Sequence, residues 1–522
     1  WNPIVIANWM RARNTASRLR EGVAVQEALD FGQEMAFLQH YDRVLLIQPP
    51  FTVESDCFIG VMAPLGLAYL AAVLEREPGC VVTIIDALAE GFATRQEEHG
   101  RIRHGLAETE ILQRIAAADP DLIGISMCFS NQAADGYALA AAIRRARPAV
   151  KLVVGGAHAT ALPEETLRCS GAEYAVLGEG EMTLRELVRY LRGERADLPA
   201  GLAWRDGAAV RIARRGAYVE HPGELPHPAR HLLDMERYFA INRPHGPQTT
   251  TRVANMITSR GCPGACVFCA IHGIWGKRYR ARPVADVLAE IRELVVRYGI
   301  EEIQFEDDNL TLDRARAAEL FRGLIREFPG LRWGAPNGVA VWALDDELLT
   351  LMAQSGCHFV TLAVESGSQR VLNEVICKPL KLAGVQRCAQ RLRALGVRVD
   401  AMFVIGLPGE TKAEIEETIR YALALGLDDV SFFIATPYPG TELYERCRAN
   451  GWLTPDYDLA QLQVHKRGFI QTPDFTPSEI VALRQQAIDR FLESRLKRGW
   501  RNRLKFAVKC LLRAAGWCGN PR

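Results

Sequence analysis

The sequence lacks the features of a membrane-spanning, a secreted or a nucleic-acid-binding protein. It has no uninterrupted apolar run long enough to span a bilayer, and its first residues do not follow the order of a secretory signal. It also has no charge excess, since 63 Lys and Arg residues stand against 62 Asp and Glu residues. The formal net charge of +1 gives no large field for a polyanion, so we predict no nucleic-acid partner.

The cysteines lack the pattern of a secreted disulfide framework. There are 13 in 522 residues, an odd number, and only three of them are clustered. We therefore expect a reducing compartment, the cytoplasm. A chain of this length exceeds what one hydrophobic core usually serves, so two domains or more are expected.

What is present is two blocks of alternating strands and helices. The first block predicts strands at 43–48, 81–86, 121–126, 151–156 and 172–180, each ending in a glycine or polar turn. Apolar residues at helical spacing lie between them, for example at 64–77 and 134–148. The pattern predicts a doubly wound, Rossmann-like α/β domain over residues 41–195, whose ligands bind at the carboxyl ends of its strands.

The segments around this domain are less regular. Residues 1–40 are predicted to be helical, without an assigned role. Residues 196–250 are rich in proline, glycine and histidine, and we predict a linker that contains one hairpin, LAWRDGAAVRI, with Asp206 and Gly207 at its turn.

The second block predicts a parallel barrel. Six strands are expected, at 253–259, 301–308, 331–337, 358–366, 398–406 and 429–437, with helices such as 284–299 and 412–426 between them. This pattern favours a complete or partial (β/α)6 barrel over residues 251–450, followed by a helical C-terminal region at 451–522. Active-site groups of such barrels lie at the strand ends.

One loop of the second block, SRGCPGACVFCAIHG, carries three cysteines: Cys262, Cys266 and Cys269. Three soft thiolates from one loop can hold three irons of a [4Fe-4S] cluster and leave the fourth iron open. They can also form a structural Cys3His zinc site, because His272 follows at a ligand-like distance. Spacing alone leaves both interpretations open.

The loop CPGACVFC resembles the CxxxCxxC signature of the radical S-adenosylmethionine (SAM) enzymes, with an aromatic residue, Phe268, before the last cysteine. The resemblance covers about residues 250–450 and is specific because a (β/α)6 pattern follows. It implies that Cys262, Cys266 and Cys269 hold the cluster and that the amino and carboxylate groups of SAM bind its open iron. Reductive cleavage of SAM would then give a 5′-deoxyadenosyl radical, with electrons from an external donor such as flavodoxin or ferredoxin. His272 is predicted to be a bystander.

Further strand ends are similar to SAM contacts of this family. The segment FEDDN places Glu306, Asp307 and Asp308 where a carboxylate accepts hydrogen bonds from the SAM ammonium group, and which of them does so is left open. Each of them alone is better explained as a helix cap or a solvated strand end. Their order along the chain favours a site.

The fourth and fifth strand ends complete the predicted SAM site. Glu365 and Ser366 of AVESGS are similar to the ribose-contacting positions of the family. Gly406, Pro408 and Gly409 of FVIGLPGET resemble the segment that lets the backbone approach adenine.

The first block resembles the cobalamin-binding domain that precedes the barrel in one large radical SAM subgroup. The similar segments are APLGLAYLAAVLE, IIDA, DLIGISM, VVGGAHATALPEE and VLGEGEMTL, in that subgroup's order. The resemblance implies cofactor contacts at the strand ends, namely Ser126, Gly155, Gly156, His158, Gly178, Glu179 and Gly180. His158 alone is more often a loop histidine than a ligand.

The chain departs from one group of cobalamin carriers. These hold cobalt from below with the histidine of a DxHxxG loop after the first strand, whereas the corresponding loop here, QPPFTVESDCFIG, has no histidine. We therefore predict a cobalt without a histidine lower ligand.

The two resemblances together imply a cobalamin-dependent radical SAM enzyme with three cofactors: a [4Fe-4S] cluster, SAM and cobalamin. The favoured reaction is methylation of an unactivated carbon, with methylcobalamin as methyl donor and the adenosyl radical as hydrogen abstractor. The alternative keeps the cofactors but gives a cyclisation, oxidation or rearrangement without net methyl transfer. A zinc-stabilised binding protein is the non-enzymatic alternative.

The C-terminus bears on the substrate, which the sequence does not otherwise indicate beyond a small molecule or a lipid. Residues 494–517 interleave basic and apolar residues as an amphipathic helix does. Such a helix lies on an anionic membrane surface, or it packs on the barrel with its basic side chains reaching solvent. The first interpretation would favour a lipid or another hydrophobic substrate.

Overall fold

The computed structural model describes residues 41–54, 58–98 and 100–497. The predicted N-terminal helix (1–40), part of the loop after the first strand (55–57) and most of the predicted amphipathic helix (494–517) lie outside this part. Within it, no helix combines the length and the apolar composition needed to cross a membrane.

The N-terminal half alternates strands and helices as predicted. In chain order its elements are β1 (Arg43–Gln48), β2 (Phe51–Glu54), α1 (Leu65–Leu74), β3 (Val81–Asp86), α2 (Ala87–Glu90), β4 (Arg95–Glu98), β5 (Arg101–His104), α3 (Glu108–Ala118), β6 (Leu122–Ser126), α4 (Ala133–Ala146), β7 (Lys151–Gly155), α5 (Ala157–Ala161), α6 (Pro163–Ser170), β8 (Tyr174–Val176), α7 (Gly180–Leu191), β9 (Leu202–Asp206), β10 (Ala209–Ile212) and α8 (Met235–Ile241). Short 3-10 turns lie at Ser130–Gln132, Pro222–Glu224 and Arg230–Leu232.

Seven of these strands form one sheet, in the order β10-β9-β8-β7-β6-β1-β3 among the described residues. The strands from β3 to β8 are all parallel. Strand β1 pairs with both β3 and β6, so the strand order reverses beside β1. This is the predicted doubly wound arrangement, in which a ligand binds at the carboxyl ends of the strands next to the reversal.

Strand β1 shows why its sequence is continuously apolar. Leu45 and Ile47 pack with side chains of α3 and α4 on one face of the sheet. Val44 and Leu46 pack with side chains of α1 and α7 on the other face. Successive side chains of a strand point to opposite faces, so a sheet covered on both faces requires apolar residues at every position.

The predicted hairpin forms, but it is more than a connection. Strand β9 pairs antiparallel with β8, and β10 pairs antiparallel with β9, so both strands extend the sheet. The predicted linker of residues 196–250 therefore contributes the edge of the first sheet. The hairpin joins the sheet because β8 would otherwise be an exposed edge strand with unpaired backbone hydrogen-bonding groups.

The loop after β1 also contains a strand. Within the described residues, β2, β5 and β4 form a small antiparallel sheet in the order β2-β5-β4. Thr52 of β2 donates through Oγ1 to Asp135 Oδ1 of α4 at 2.6 Å. The histidine-free loop is thus tied to the helix that follows β6.

The C-terminal half contains the predicted barrel strands. Its elements are β11 (Val253–Met256), β12 (Ser259–Arg260), α9 (Ile271–Ile274), β13 (Arg280–Ala281), α10 (Val284–Tyr298), β14 (Glu302–Phe305), α11 (Arg314–Glu327), β15 (Arg332–Ala335), α12 (Asp346–Gln354), β16 (Cys357–Glu365), α13 (Leu382–Ala394), β17 (Arg398–Ile405), α14 (Lys412–Ala424), β18 (Asp429–Ile434), α15 (Glu442–Ala449) and α16 (Pro477–Lys497). Short 3-10 turns lie at Val341–Ala343 and Leu459–Gln461, and a π-helical turn spans Val371–Ile376.

Six parallel strands form the second sheet, in the order β11-β14-β15-β16-β17-β18. Within the described residues β11 and β18 are its edges, so the barrel is partial. Its core is aromatic, with Trp333 of β15 stacked on Phe321 of α11 at a centroid distance of 5.0 Å. Helix α16 packs against β18 and α14 and so covers the last strand.

Candidate functional site

The cysteine loop is held at its two ends by a short ribbon. Strands β12 and β13 pair antiparallel, Ser259 with Ala281 and Arg260 with Arg280, and the loop spans residues 261–279 between them. Gly261 has a φ of 84°, and a Cβ there would lie 2.2 Å from the Arg278 carbonyl oxygen. Only glycine fits this close approach of the loop's two limbs.

The cysteine loop brings two of its three sulfurs, those of Cys262 and Cys266, next to one glycine. A Cβ at Gly264 would lie 3.3 Å from Cys262 Sγ and 3.9 Å from Cys266 Sγ, so both sulfurs border the same glycine. Burial raises the pKa of Cys266 to about 11 and that of Cys269 to about 12, and nearby thiols and carboxylates add to the rise. Half-buried thiols with these pKa values become thiolates when a cation binds them. Three thiols carried by one loop therefore fit an iron–sulfur cluster by their chemistry, although no group of three metal ligands is assembled among the described residues.

Neighbours of the loop fix its orientation. Asn309 Nδ2 donates to Cys262 Sγ at 3.0 Å, and Val267 N donates to the Ile376 carbonyl oxygen at 3.2 Å. Phe268 packs partly buried against the barrel core. His272 Nε2 donates to the carbonyl oxygen of Cys262 at 3.2 Å, so this nitrogen is engaged within the loop. This contact supports the prediction that His272 is a bystander.

The structure separates the three acidic residues after β14. Asp307 is buried, and its Oδ1 accepts from Thr258 Oγ1 at 2.8 Å and from Ser259 Oγ at 2.5 Å. The backbone N–H of Thr258 donates to the same carboxylate. Asp307 therefore ties the end of β14 to the start of the cysteine loop and has little capacity left for a ligand.

Glu306 and Asp308 each have a carboxylate oxygen that can accept a hydrogen bond from a ligand. Among the described residues, Glu306 Oε1 and Asp308 Oδ2 are buried and have no hydrogen-bond partner. The other oxygen of Glu306 accepts from Asn337 Nδ2 at 3.0 Å and from His245 Nδ1 at 3.1 Å. Burial, and next the charge of Asp307, raise the pKa of Asp308 to about 7. A buried carboxylate oxygen without a donor fits an ammonium ligand.

The end of β16 carries the predicted ribose contacts. Glu365 has a φ of 71°, a conformation that costs free energy for a residue with a side chain and that clusters at functional sites. Its Oε1 accepts from Lys378 Nζ at 2.9 Å. Ser366 is fully buried, and its Oγ bonds to Thr418 Oγ1 at 3.0 Å and accepts from Ser368 N at 3.1 Å. Of the two predicted residues, Glu365 is better placed for a ligand.

The turn after β17 is built around a buried acid. Gly406 has a φ of 84°, and a Cβ there would lie 2.9 Å from Ile480 of α16. The N–H groups of Gly406 and Leu407 donate to Glu410 Oε2 at 2.8 and 3.2 Å. Burial raises the pKa of Glu410 to about 8. Pro408 is half-buried in the same turn.

The strand ends of the first sheet form an open surface. Ser126 and Gly155 are half-buried at the ends of β6 and β7, and Phe129 beyond β6 is exposed. A Cβ at Gly155 would meet only Val176, at 3.6 Å or more. Gly156 has a φ of 114°, and a Cβ there would lie 2.5 Å from the Met127 carbonyl oxygen. Small residues and a shape set by backbone contacts fit a large, flat cofactor at these strand ends.

Two predicted cofactor contacts have internal partners instead. His158 is buried, with Nε2 2.6 Å from Tyr137 Oη and Nδ1 3.1 Å from Ser130 Oγ. Burial lowers the pKa of His158 to about 4, so the ring is neutral. Both carboxylate oxygens of Glu179 bind Arg280 of the second half.

The glycines beside Glu179 lie close to backbone and core. Gly178 has a φ of 74° and donates to Thr160 Oγ1 at 2.9 Å, and its Cβ would approach the Ile274 carbonyl oxygen. A Cβ at Gly180 would lie 3.2 Å from Leu70 and Val176. Gly178 permits packing between the two halves, and Gly180 permits packing within the first half.

Sequence reasoning missed several polar residues at the barrel mouth. Asn309 directly follows the FEDD segment and could have been included with it. Lys378 and Asn337 give no local signal, and neither does His245, which lies 61 residues before Glu306.

Comparisons with known proteins agree with this geometry. The model of the B12 binding domain matches residues 55–188, and that of the Radical SAM superfamily matches residues 256–422. Cytidylyl-2-hydroxyethylphosphonate methyltransferase of Streptomyces wedmorensis is 36% identical over 494 residues, which cover 88% of this chain and 92% of that protein. An uncharacterized methyltransferase of Pyrococcus horikoshii is 35% identical, with 79% of this chain and 84% of that protein covered. Anaerobic magnesium-protoporphyrin IX monomethyl ester cyclase of Rubrivivax gelatinosus is 27% identical, with 77% and 69% covered.

Two solved structures share the fold. The radical SAM methyltransferase TsrM of Kitasatospora setae, solved with cobalamin and a [4Fe-4S] cluster, superposes with a TM-score of 0.62 at 20% identity and covers 78% of this chain and 75% of that chain. The cobalamin-dependent SAM radical enzyme OxsB, solved with aqua-cobalamin, gives a TM-score of 0.65 at 16% identity and covers 90% of this chain and 75% of that chain. The order of a doubly wound domain before a partial barrel is therefore shared with both.

Proposed function

Because the chain belongs to the cobalamin-dependent radical SAM methyltransferases, which use a [4Fe-4S] cluster, SAM and cobalamin, we propose that it methylates an unactivated carbon of a small, nucleotide-linked phosphonate. The observation that carries the substrate class is the relative that is 36% identical and covered over 92% of its length. That relative is a cytidylyl-2-hydroxyethylphosphonate methyltransferase. A match across both domains supports a substrate of the same chemical class.

The two halves would bind different cofactors. When bound, cobalamin carries the methyl group, and the cluster with SAM supplies the radical. Cys262, Cys266 and Cys269 would hold the cluster, and Glu306 or Asp308 would accept hydrogen bonds from the SAM ammonium group. Glu365 would pair with the ribose hydroxyls, and the turn of Gly406 would approach adenine. The protein's contribution is positioning and the exclusion of water.

The strand ends of the first sheet would hold cobalamin mainly through backbone and shape. Ser126 and the glycines Gly155, Gly156 and Gly178 border that surface. The loop after β1 supplies no histidine in its sequence, which supports a cobalt without a histidine lower ligand.

The test is a product analysis with a cytidylyl phosphonate. Anaerobically reconstituted protein would be given this compound, SAM, cobalamin and a reductant, and products would be counted by mass spectrometry. We expect a product heavier by one methylene, with S-adenosylhomocysteine and 5′-deoxyadenosine each formed in equal amount to it. Cleavage of SAM without a methylated phosphonate would contradict the substrate class.

The same count separates the alternative reaction. A cyclisation, oxidation or rearrangement would release 5′-deoxyadenosine without stoichiometric S-adenosylhomocysteine. The cyclase relative, at 27% identity and with 69% of its length covered, gives this alternative the weaker support.

The cellular setting is also a proposal. We place the enzyme in the cytoplasm, with a flavodoxin or ferredoxin as electron donor. Peripheral membrane contact through residues 494–517 would be tested by liposome flotation of the full chain against a chain ending at residue 493. Equal flotation of both would exclude this contact.

A further inference from the structure

Two acidic residues of the first half reach the base of the cysteine loop in the second half. Glu179 directly precedes α7, and Glu181 lies in the first turn of this helix. Their carboxylates meet Arg260 of β12 and Arg280 of β13, which are paired across the ribbon. All four side chains are at most 7% exposed. We call these four residues the interdomain clamp.

The carboxylate and guanidinium groups of the clamp are joined by several hydrogen bonds with defined donor and acceptor atoms. The two terminal nitrogens of Arg280 donate to the two carboxylate oxygens of Glu179, with Nη1 to Oε2 at 3.1 Å. Arg260 Nη2 donates to Glu181 Oε1 at 2.6 Å, and its Nη1 lies 3.5 Å from Glu179 Oε2. Val219 N adds a donor to Glu179 Oε2 at 2.7 Å. A two-point contact between guanidinium and carboxylate fixes orientation as well as distance.

The clamp sets two acidic side chains against two guanidinium groups, and the pairing of Glu181 with Arg260 favours its charged form. Burial raises the pKa of Glu181, but the charge and hydrogen bond of Arg260 outweigh it, and the pKa lies below its ordinary value. Two carboxylates therefore face two guanidinium groups away from water. Loss of one partner would leave a buried charge without compensation, so the four residues act together.

Aromatic rings extend the clamp into both halves. The guanidinium group of Arg260 lies 5.3 Å from the ring centre of Tyr69 in α1 and 5.8 Å from that of Trp275 in the cysteine loop. Arg280 lies 4.9 Å from the ring centre of Tyr218 and donates to the Trp275 carbonyl oxygen at 2.8 Å. Arg260 and Arg280, at the two ends of the loop, thus contact both Trp275, in the C-terminal part of the loop, and the two acidic residues of the clamp.

We propose that the interdomain clamp is a positioning device that sets the separation between the iron–sulfur cluster and cobalamin. Arg260 lies two residues before Cys262, and Arg280 closes the other end of the loop. Glu179 follows β8 in the segment that borders the strand ends of the cobalamin domain. The clamp therefore joins the two cofactor sites directly, whereas the covalent connection between them runs through residues 182–258.

The test measures the two cofactors against each other. In holoenzyme, the reduced cluster and cob(II)alamin each carry an unpaired spin, and their interaction is read by electron paramagnetic resonance. We expect Glu179→Gln to keep iron and cobalamin content but to change and broaden the spin–spin interaction. We also expect the ratio of 5′-deoxyadenosine to methylated product to rise by about tenfold, because a small misplacement uncouples radical formation from methyl transfer.

A matched control removes a buried charge elsewhere. Glu302 at the start of β14 is fully buried at the opposite end of the strand from Glu306, and its Oε1 lies 3.0 Å from His358 Nε2. Glu302→Gln should lower thermal stability comparably but keep the wild-type spin–spin interaction. Where Glu179→Gln does not accumulate as folded protein, Arg280→Lys replaces it, since lysine keeps the charge but loses the two-point contact. An unchanged interaction in the loaded variant would overturn the proposal whether or not the substrate class is correct.

Discussion

The barrel mouth and the strand ends of the first sheet differ in whether their buried polar atoms already have hydrogen-bond partners. At the barrel mouth, Glu306 Oε1, Asp308 Oδ2 and Glu410 Oε1 are buried without a hydrogen-bond partner among the described residues. At the strand ends of the first sheet, both ring nitrogens of His158 and both oxygens of Glu179 have partners within the chain. The barrel thus offers polar side chains to a ligand, whereas the first sheet offers small residues and backbone.

The difference follows from the ligands. SAM is small and charged, so a few directed polar groups and an open iron are enough to orient it. A corrin is large, so contact area over a shaped surface can hold it with few directed side chains. Buried polar atoms without hydrogen-bond partners therefore indicate a site for a small charged ligand. Glycines where two backbone segments lie close together indicate a site for a large ring.

The largest expected effect concerns the barrel side. Cys266→Ala removes one cluster ligand, and we expect reductive SAM cleavage to fall to background because an iron loses its thiolate. The measurement is 5′-deoxyadenosine formation together with iron and sulfide content of anaerobic protein. Cys388→Ala, a buried cysteine of α13, is the control and should retain cleavage. Full cleavage by Cys266→Ala would remove the basis of the comparison.

The second effect concerns the cobalamin side. Gly156→Ala places a Cβ 2.5 Å from the Met127 carbonyl oxygen at a φ of 114°, and we expect a loss of about 3 kcal/mol of folding free energy. Cobalamin binding should fall while the cluster is retained. Gly193→Ala, with a φ of 73° and nothing within 4 Å, isolates the backbone strain and should cost about 1 kcal/mol. Equal losses in both would show that the Met127 contact is not decisive.

The third prediction concerns two neighbouring acidic residues at the barrel mouth, Asp307 and Asp308, which we expect to have different roles. Asp307→Asn weakens hydrogen bonds from Thr258 and Ser259, so we expect about 2 kcal/mol less stability and a small change in SAM affinity. Asp308→Asn leaves these bonds intact and should weaken SAM binding about tenfold, the loss of one charge-assisted hydrogen bond. Calorimetry with SAM and thermal unfolding check both. Unchanged SAM affinity in Asp308→Asn would leave Glu306 as the ammonium contact.

The smallest effect is a pH dependence at the first sheet. The pKa of His158 is lowered to about 4, below its unfolded value near 6.5, so its contribution to stability is present above pH 6.5 and is lost as the pH falls toward 4. At pH 5 the wild type should have lost about 2 kcal/mol of unfolding free energy that His158→Gln does not lose. Urea unfolding at pH 7.5 and pH 5 measures the difference.

The same variant sharpens the comparison at neutral pH. Because both ring nitrogens of His158 have internal partners, cobalamin affinity of His158→Gln at pH 7.5 should remain close to that of the wild type. A large loss of affinity in a folded variant would mean that the ring contacts the cofactor after all.

The sequence by itself determined the parallel strands of the two large sheets, the main helices between them and the cysteine loop. Apolar periodicity is local, and three thiols within eight residues stay together whatever the rest of the chain does. Only the tertiary structure separated Asp307 from Glu306 and Asp308, because the partners of Asp307 lie at the start of the cysteine loop and those of Glu306 lie after β15 and before β11. It also made the predicted linker hairpin part of the first sheet, and it paired Glu179 with an arginine 101 residues away. Contacts over such distances depend on how the two halves pack, which no local pattern of residues records.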